Sequence, residues 1–557
     1  MKNSINLLAA GVFMLSACGG GGGGGETISA APLASVPAKP VGTVSINGKI
    51  TFDFVPTAVN AGVPFLDYPN TVRRPARGLL VEVVDASTQA TLGTTTSDTN
   101  GNYAVQAPTG INVLVRANAI LSPNSGNTVD VLQVVDNTQG DAGWALDSSA
   151  FITPATVVTK NLNASSGWNG TSYTATQRTA GPYAILDTIY TAVQKIKAVD
   201  SAAVFPKLSI HWSSNNIPAS GNIAAGQIGS SYFSNSNNAV SGAVVTRDLY
   251  ILGKENIDTD EYDSHVIAHE FGHYLQNVFS RDDSIGGQHG GADDRLDMRV
   301  AFSEGWGYAW AAYVLNNPIS TDVNSQAQTR GSAIDVAAGE SVNSGWFKEK
   351  SVQKIIYDII NSAAIGFEPV WTALKTGIKA TPALTSIHSL AYALRQANAS
   401  YEAPLNAILT SQNITPPMDS YGANETNFGS PVIASLNPIY LNYGAVSSTL
   451  NNVCVTDAVD SNSHGNKAGE YRFIKINLPS AGNRTFSVTK AKSSFPTDPD
   501  FSVYDKNGRV VNAASDGVDT QSATKLLPAG DYVLALTDYN FSTNKNFSAP
   551  CFSLTIN

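Results

Sequence analysis

The 557-residue chain is poor in charge and in sulfur: 14% of its residues are charged, and it has 3 cysteines and 4 methionines. The formal net charge is -10 and no run or stripe of Lys and Arg is present, which excludes a protein built to grip nucleic acid phosphates. No fixed repeat recurs along the chain, so solenoid and propeller architectures are excluded as well. One cysteine, Cys18, falls in the leader. That leaves Cys454 and Cys551 as a single pair, which in an oxidising compartment invites one disulfide. The loop it would close is long, worth up to roughly 4 to 5 kcal/mol by chain entropy.

The leader is short but patterned. Lys2 is followed by an apolar run over 5–15 and then by Leu15-Ser16-Ala17-Cys18. The run is too short to span a membrane, and residues 1–17 read as a signal peptide. The last four residues resemble the lipobox of bacterial lipoproteins, which implies cleavage before Cys18 and lipidation of its side chain. The Gly run over 19–25 and the Pro/Ala-rich stretch over 30–40 cannot pack a core, so residues 18–41 read as a tether. The resemblance implies a lipid-anchored protein of the bacterial cell envelope, with Gly19 after the cysteine favouring the outer membrane.

Length predicts roughly two to four domains. Over 42–120, short segments alternate apolar and polar residues with turn residues between them, the pattern of a β-sandwich. Asn100-Gly101 separates a Thr-rich strand from a Tyr-Ala-Val strand and predicts a hairpin. This segment resembles the carboxypeptidase-regulatory or transthyretin-like sandwiches. Residues 121–180 read as a β-rich bridging region. Helical spacing begins near Pro182, and helices alternate with strands over 181–445. Strands return over 446–557, where the turn and strand at 528–534 resemble the bacterial pre-peptidase C-terminal domain.

The spacing of Asp258 and Glu261 is that of a capping box and predicts a helix starting near residue 259. Along it Ile267, Phe271, Tyr274, Leu275 and Val278 form an apolar stripe. At about 100° per residue, His269 and His273 project together from the face away from the stripe, with Glu270 beside them. Two neutral imidazoles one turn apart can clamp zinc, and an adjacent carboxylate can take a proton from an attacking water. A third ligand is needed. The Gly and His of the metzincin pattern are missing, because those positions hold Gln276 and Phe279. A second helix is predicted over 300–310, with Glu304 the single acidic residue in an apolar and aromatic stretch. A buried lone carboxylate is costly and calls for a cation. Gly305 and Gly307 each cost about 1 kcal/mol in a helix interior, which implies a close backbone approach there.

Residues 263–274 together with 301–307 resemble gluzincin metallopeptidases of bacterial exported proteins. The resemblance is specific over roughly 244–310. It implies that His269, His273 and Glu304 bind one catalytic Zn2+, that Glu270 is general base, and that the strand over 244–253 borders the substrate cleft. The expected fold class is multidomain α+β, a zincin-type metallopeptidase domain flanked by two all-β sandwich modules. The expected function is zinc-dependent hydrolysis of peptide bonds, as an endopeptidase acting on a peptide or protein. Two rivals stand beside it: a surface adhesin or glycan-binding lipoprotein with an inactive zincin domain, and a zinc hydrolase of a non-peptide amide.

Several groups are open to more than one reading. The loop over 282–297 holds Asp282, Asp283, His289, Asp293, Asp294 and Asp297. Asp293, Asp294 or Asp297 could be an alternative third ligand, the loop could hold Ca2+, His289 could contact substrate or an oxyanion, or the loop is simply solvated. Tyr308, Tyr357, His388 and Tyr443 are candidates for stabilising an oxyanion. Asp263 and His265 either support the ligands from behind or lie on the helix surface. His211, His388 and His464 have no metal-ligand neighbour in sequence.

Overall fold

In a computed structural model, residues 42–557 are described except 125–129, 175–176, 237–244, 291–294, 430–435, 457–464, 516–517 and 545–546. The expected signal peptide, Cys18 and the tether lie outside the described residues, as do Asp293, Asp294 and His464. No described helix is long and apolar enough to cross a membrane.

The N-terminal alternation forms strands β1 (Thr43–Phe54), β2 (Leu79–Asp85), β3 (Thr91–Thr96) and β4 (Asn102–Pro108). Ile46, Ile50 and Phe52 of β1 and Val81 and Val83 of β2 are buried, as period two requires. The Asn100-Gly101 turn exists, with Asp98 accepting from the N–H groups of Asn100 and Asn102. It does not close the expected hairpin: β3 pairs with β2 and β4 pairs with β1. The N–H of Ile50 donates to the Gly101 carbonyl, which draws the second strand across to β1.

The expected boundaries at 120 and 180 are not breaks in the sheet. β1 and β4 belong to a five-stranded sheet of their own, whereas strands β5 (Asn112–Leu121) and β6 (Leu132–Asp136) continue the sheet of β2 and β3, and β7 (Leu208–Trp212) pairs parallel with β6. Beyond β7 come β8 (Tyr232–Asn235) and β9 (Arg247–Ile251), giving the order β8–β9–β7–β6–β5–β2–β3. The physical reason is the edge of β6: left bare, it would expose unpaired N–H and C=O groups, and β7 covers it. A smaller sheet contains β10 (Asp258–Thr259), β11 (Ile319–Asn324) and β12 (Arg330–Asp335).

Helices α1 (Gly181–Val199), α2 (Ser264–Phe279), α3 (Met298–Leu315) and α4 (Glu349–Asn361) share one continuous core with these strands. Ile46, Val81, Leu132, Ile189, Ile210, Phe271, Trp306 and Ile355 all belong to it. Each large side chain buried this way contributes about 1.5 to 3 kcal/mol, so the apolar stripe of α2 is what holds that helix in place.

The C-terminal part is a two-sheet sandwich that begins with Tyr440–Asn442, a few residues before the expected boundary at 446. Its own core, with Val453, Ile474, Phe486, Val503, Leu534 and Leu554, lies between a five-stranded and a four-stranded sheet. Cys454 and Cys551 form a disulfide, directly opposite one another on adjacent strands of the four-stranded sheet.

Candidate metal centre

Helix α2 starts at Ser264, five residues later than the capping-box reading predicts. Asp258 is taken up by strand β10, and Glu261 is buried in an ion pair with Arg178. Asp263 stands at the helix start without capping it: its carboxylate accepts from the Val323 N–H and the Thr57 hydroxyl. Asp263 and His265 are therefore neither surface groups nor supports of the ligands, His265 bonding instead to the Asn317 carbonyl.

Further along α2 the expected constellation converges. His269 Nε2 lies 3.0 Å from His273 Nε2, and Glu304 Oε2 lies 3.2 Å and 3.5 Å from these two nitrogens. Two Zn–N bonds at a tetrahedral angle would set the nitrogens about 3.3 Å apart, so the donor set and its spacing fit zinc. His273 Nδ1 bonds the Ser303 hydroxyl, which itself donates to Gln276 Oε1. That arrangement makes Nδ1 the protonated nitrogen and turns the Nε2 lone pair toward the shared centre.

The two helices come together here because both lack side chains at the contact. A Cβ on Gly307 would meet His269 Cε1 at 2.7 Å, and one on Gly272 would meet Trp310 Cδ1 at 3.0 Å. Gly305 faces the other way, where a Cβ would meet Val352 Cγ1 at 2.7 Å.

The centre opens on a cleft of about 840 Å³. Glu270 lines it and accepts a hydrogen bond of 2.9 Å from the Phe233 N–H of β8. The strand over 244–253 was expected to border this cleft. Leu252 of that segment does line the cleft, while β9 itself is the second strand in and β8, paired with it, lines the cleft along Tyr232–Asn235; residue 244 lies outside the described residues.

Charges at the centre are strongly coupled. Desolvation pushes the Glu270 carboxyl up, against the pull of His269 and His273. Desolvation also opposes the charge on His273, but Glu304 outweighs it and pushes the imidazole up to about 9. Burial would raise Glu304, yet His273 and His269 hold it well below the usual carboxylate range.

His289 joins this group. Its Nε2 is 3.4 Å from Glu304 Oε2 and its Nδ1 is 2.9 Å from Glu349 Oε2 at the start of α4. The loop carrying it is held from the C-terminal part: Asn466 donates to the Gly286 and Gln288 carbonyls, and the Lys467 ammonium donates to Gln288 as well. The rest of the loop is less solvated than its composition implies. Asp283 is buried against Arg281, Asp282 lines the cleft with its carboxyl pushed up to about 6 by burial, and Asp297 caps α3. Among the described residues, no group of three metal-ligating side chains forms within this loop.

Of the four oxyanion candidates, Tyr308 alone lines the cleft, with its ring 4.5 Å from that of His269. Burial pushes its hydroxyl pKa up, so it stays a donor. His388 is buried against Glu425, and Tyr443 donates to the Ser448 carbonyl in the C-terminal part. His211 sits between Asp141 and Asp248, with a carboxylate on each ring nitrogen. Sequence reasoning missed Glu349, Ser303 and the Phe233 N–H. Ser303 adjoins Glu304 and could have been found on that ground, whereas the other two carry no local signal.

No protein-family model matches this chain, and no curated protein matches it. Among solved structures it is similar to the pre-peptidase C-terminal domain of collagenase from Bacillus anthracis, at 13% identity and a TM-score of 0.16, over 21% of this chain and 94% of that one. It is also similar to a periplasmic inhibitor of g-type lysozyme from Aeromonas hydrophila, at 17% identity and a TM-score of 0.14, over 21% of this chain and 93% of that one. Likenesses this slight carry no argument about the fold or function of this chain.

Proposed function

We propose that the protein is a zinc-dependent peptidase of the gluzincin type, with His269, His273 and Glu304 holding the ion and Glu270 as general base. The observation that carries this reading is the convergence of three ligand atoms within 4.8 Å of one another at the edge of an open cleft, with Glu270 next to them. Zinc held by these three side chains would supply Lewis acidity toward a carbonyl and lower the pKa of a water toward neutrality.

The chain's own groups do the rest. Glu270, aimed by the Phe233 N–H, accepts the proton of the attacking water and delivers it to the leaving nitrogen. An extended peptide lies along the outer side of β8, which is the end strand of its sheet among the described residues. Tyr308, which lines the cleft, donates to the oxygen that gains charge. His289, fixed by Glu349, adds a second donor beside Glu304.

The test is Glu270→Gln, which keeps shape and hydrogen bonding but removes the base. Zinc content and melting temperature should match the parent while cleavage of casein or a peptide library falls by at least ~100-fold. Retained cleavage in that variant would sink the assignment.

A further inference from the structure

A second group of acidic side chains lies on the wall of the same cleft. Asp258 on β10, Asp260 just after it, and Asp322 on β11 bring carboxylate oxygens within 4.8 Å of one another. The register explains the crowding. Asp258 pairs with Asn324 across the β10–β11 ladder, and carrying that antiparallel register two residues further sets Asp260 opposite Asp322. Like charges facing each other across strands are destabilising, so this arrangement needs compensation.

The protein atoms compensate only in part. Asp260 is 3% exposed, and its Oδ1 is buried without any hydrogen-bond partner. Asp258 Oδ1 and Asp322 Oδ1 are buried and unpartnered in the same way. The other oxygen of Asp260 accepts from the Ser231 hydroxyl, which is itself fixed by the Leu252 N–H. Among the described residues, no lysine or arginine forms an ion pair with any of the three. Each of the three carboxylates thus keeps one buried oxygen without a donor, and the three side chains converge on the wall of the cleft.

We propose that Asp258, Asp260 and Asp322 bind a hard divalent cation of the calcium class. An all-oxygen, carboxylate-rich set disfavours zinc, and magnesium prefers to keep most of its water rather than enter a dedicated protein cage. The site is separate from the histidine centre and does not rest on the zinc reading. Its role is mechanical: it ties β10 and β11 to the segment leading into β8, so both walls of the cleft are stiffened at once.

The test uses the full chain, stripped with chelator and reloaded with zinc, and reads binding and melting rather than activity. Equilibrium dialysis with radioactive calcium should find a saturable site, and millimolar calcium should raise the melting temperature by ~3 to 5 °C. Asp260→Asn and Asp322→Asn should each abolish the calcium shift, leave zinc content unchanged, and melt higher than the parent when both are calcium-free. Glu270→Gln should keep the calcium response, which separates failure here from failure of the peptidase reading. Absence of calcium binding in the parent chain, or an unchanged shift in Asp260→Asn and Asp322→Asn, would overturn the proposal. Should either variant not fold, Asp258→Asn gives the same reading, with the dialysis result on the parent deciding.

Discussion

Gly307 shows how much of the histidine centre depends on an atom that is not there. A methyl group at this position would press on the His269 ring at 2.7 Å from Cε1, with the ring pinned between the two helices. On the proposed zinc reading, Gly307→Ala should displace His269, weaken zinc binding by ~10- to 100-fold and lower stability by about 1 to 3 kcal/mol. Gly305→Ala provides the control, because its methyl would meet Val352 on α4 instead. It should lose comparable stability while zinc affinity, measured by competitive chelator titration, stays near that of the parent. Equal loss of zinc in both would mean that helix packing in general, rather than contact with His269, governs the site.

At the scale of elements, the instructive case is the approach to α2. The capping-box pattern at 258–261 is genuine as a pattern, but capping needs the Asp258 side chain free to reach backbone N–H groups. Strand pairing of β10 with β11 and the burial of Glu261 against Arg178 remove both partners from that role. The same strand pairing creates a pH dependence. Burial, reinforced by Asp322, pushes Asp258 up to about 7, and burial raises Asp260, Asp263 and Asp322 in the same direction. Glu261 adds negative charge, while Ser231, Thr57 and the Val323 N–H are the donors that face the group. A carboxyl with a raised folded pKa binds its proton more tightly folded than unfolded, so its contribution is full below the unfolded pKa and is lost as pH rises through the folded one. Metal-free protein should accordingly melt higher at about pH 5.5 than at about pH 8. In Asp258→Asn this difference should shrink in a thermal scan across pH, which isolates the cluster from the titration of His273.

Over the whole molecule, the largest departure from expectation is that the N-terminal strands are not a detachable module. β2, β3 and β5 continue through β6 and β7 in one sheet, β1 and β4 belong to a second sheet, and Ile46, Phe52, Val81 and Leu132 share a core with α1 to α4. A chain beginning at residue 181 would bare the edge of β7 and remove those side chains from the core. It should show no cooperative melting by circular dichroism, whereas a chain beginning at residue 43 should melt like the parent. If the chain from 181 folds with its own sharp transition, the shared core is not required. The C-terminal part is tied in differently, through Arg299 packed over Tyr471 and Phe473 and through Asn466 and Lys467 on the His289 loop.

His269, Glu270, His273 and the stripe of Ile267, Phe271, Tyr274 and Leu275 were legible in sequence because helical periodicity is local: spacing alone decides which side chains share a face. Glu304 was legible for a related reason, as one carboxylate in an apolar helix. Cys454 and Cys551 could be paired because no other cysteine competes in that part of the chain. What lies between elements was not legible. The exchange of ladders after Gly101, the contribution of β8 to the cleft wall, the reach of Glu349 to His289 and the crowding of Asp260 against Asp322 all depend on which strand finds which edge. Those pairings are set by the burial of a common core and the need to satisfy every strand edge, which act between residues far apart in the chain. Short-range pattern therefore determined the chemistry on α2 and α3, while long-range packing decided the walls around it.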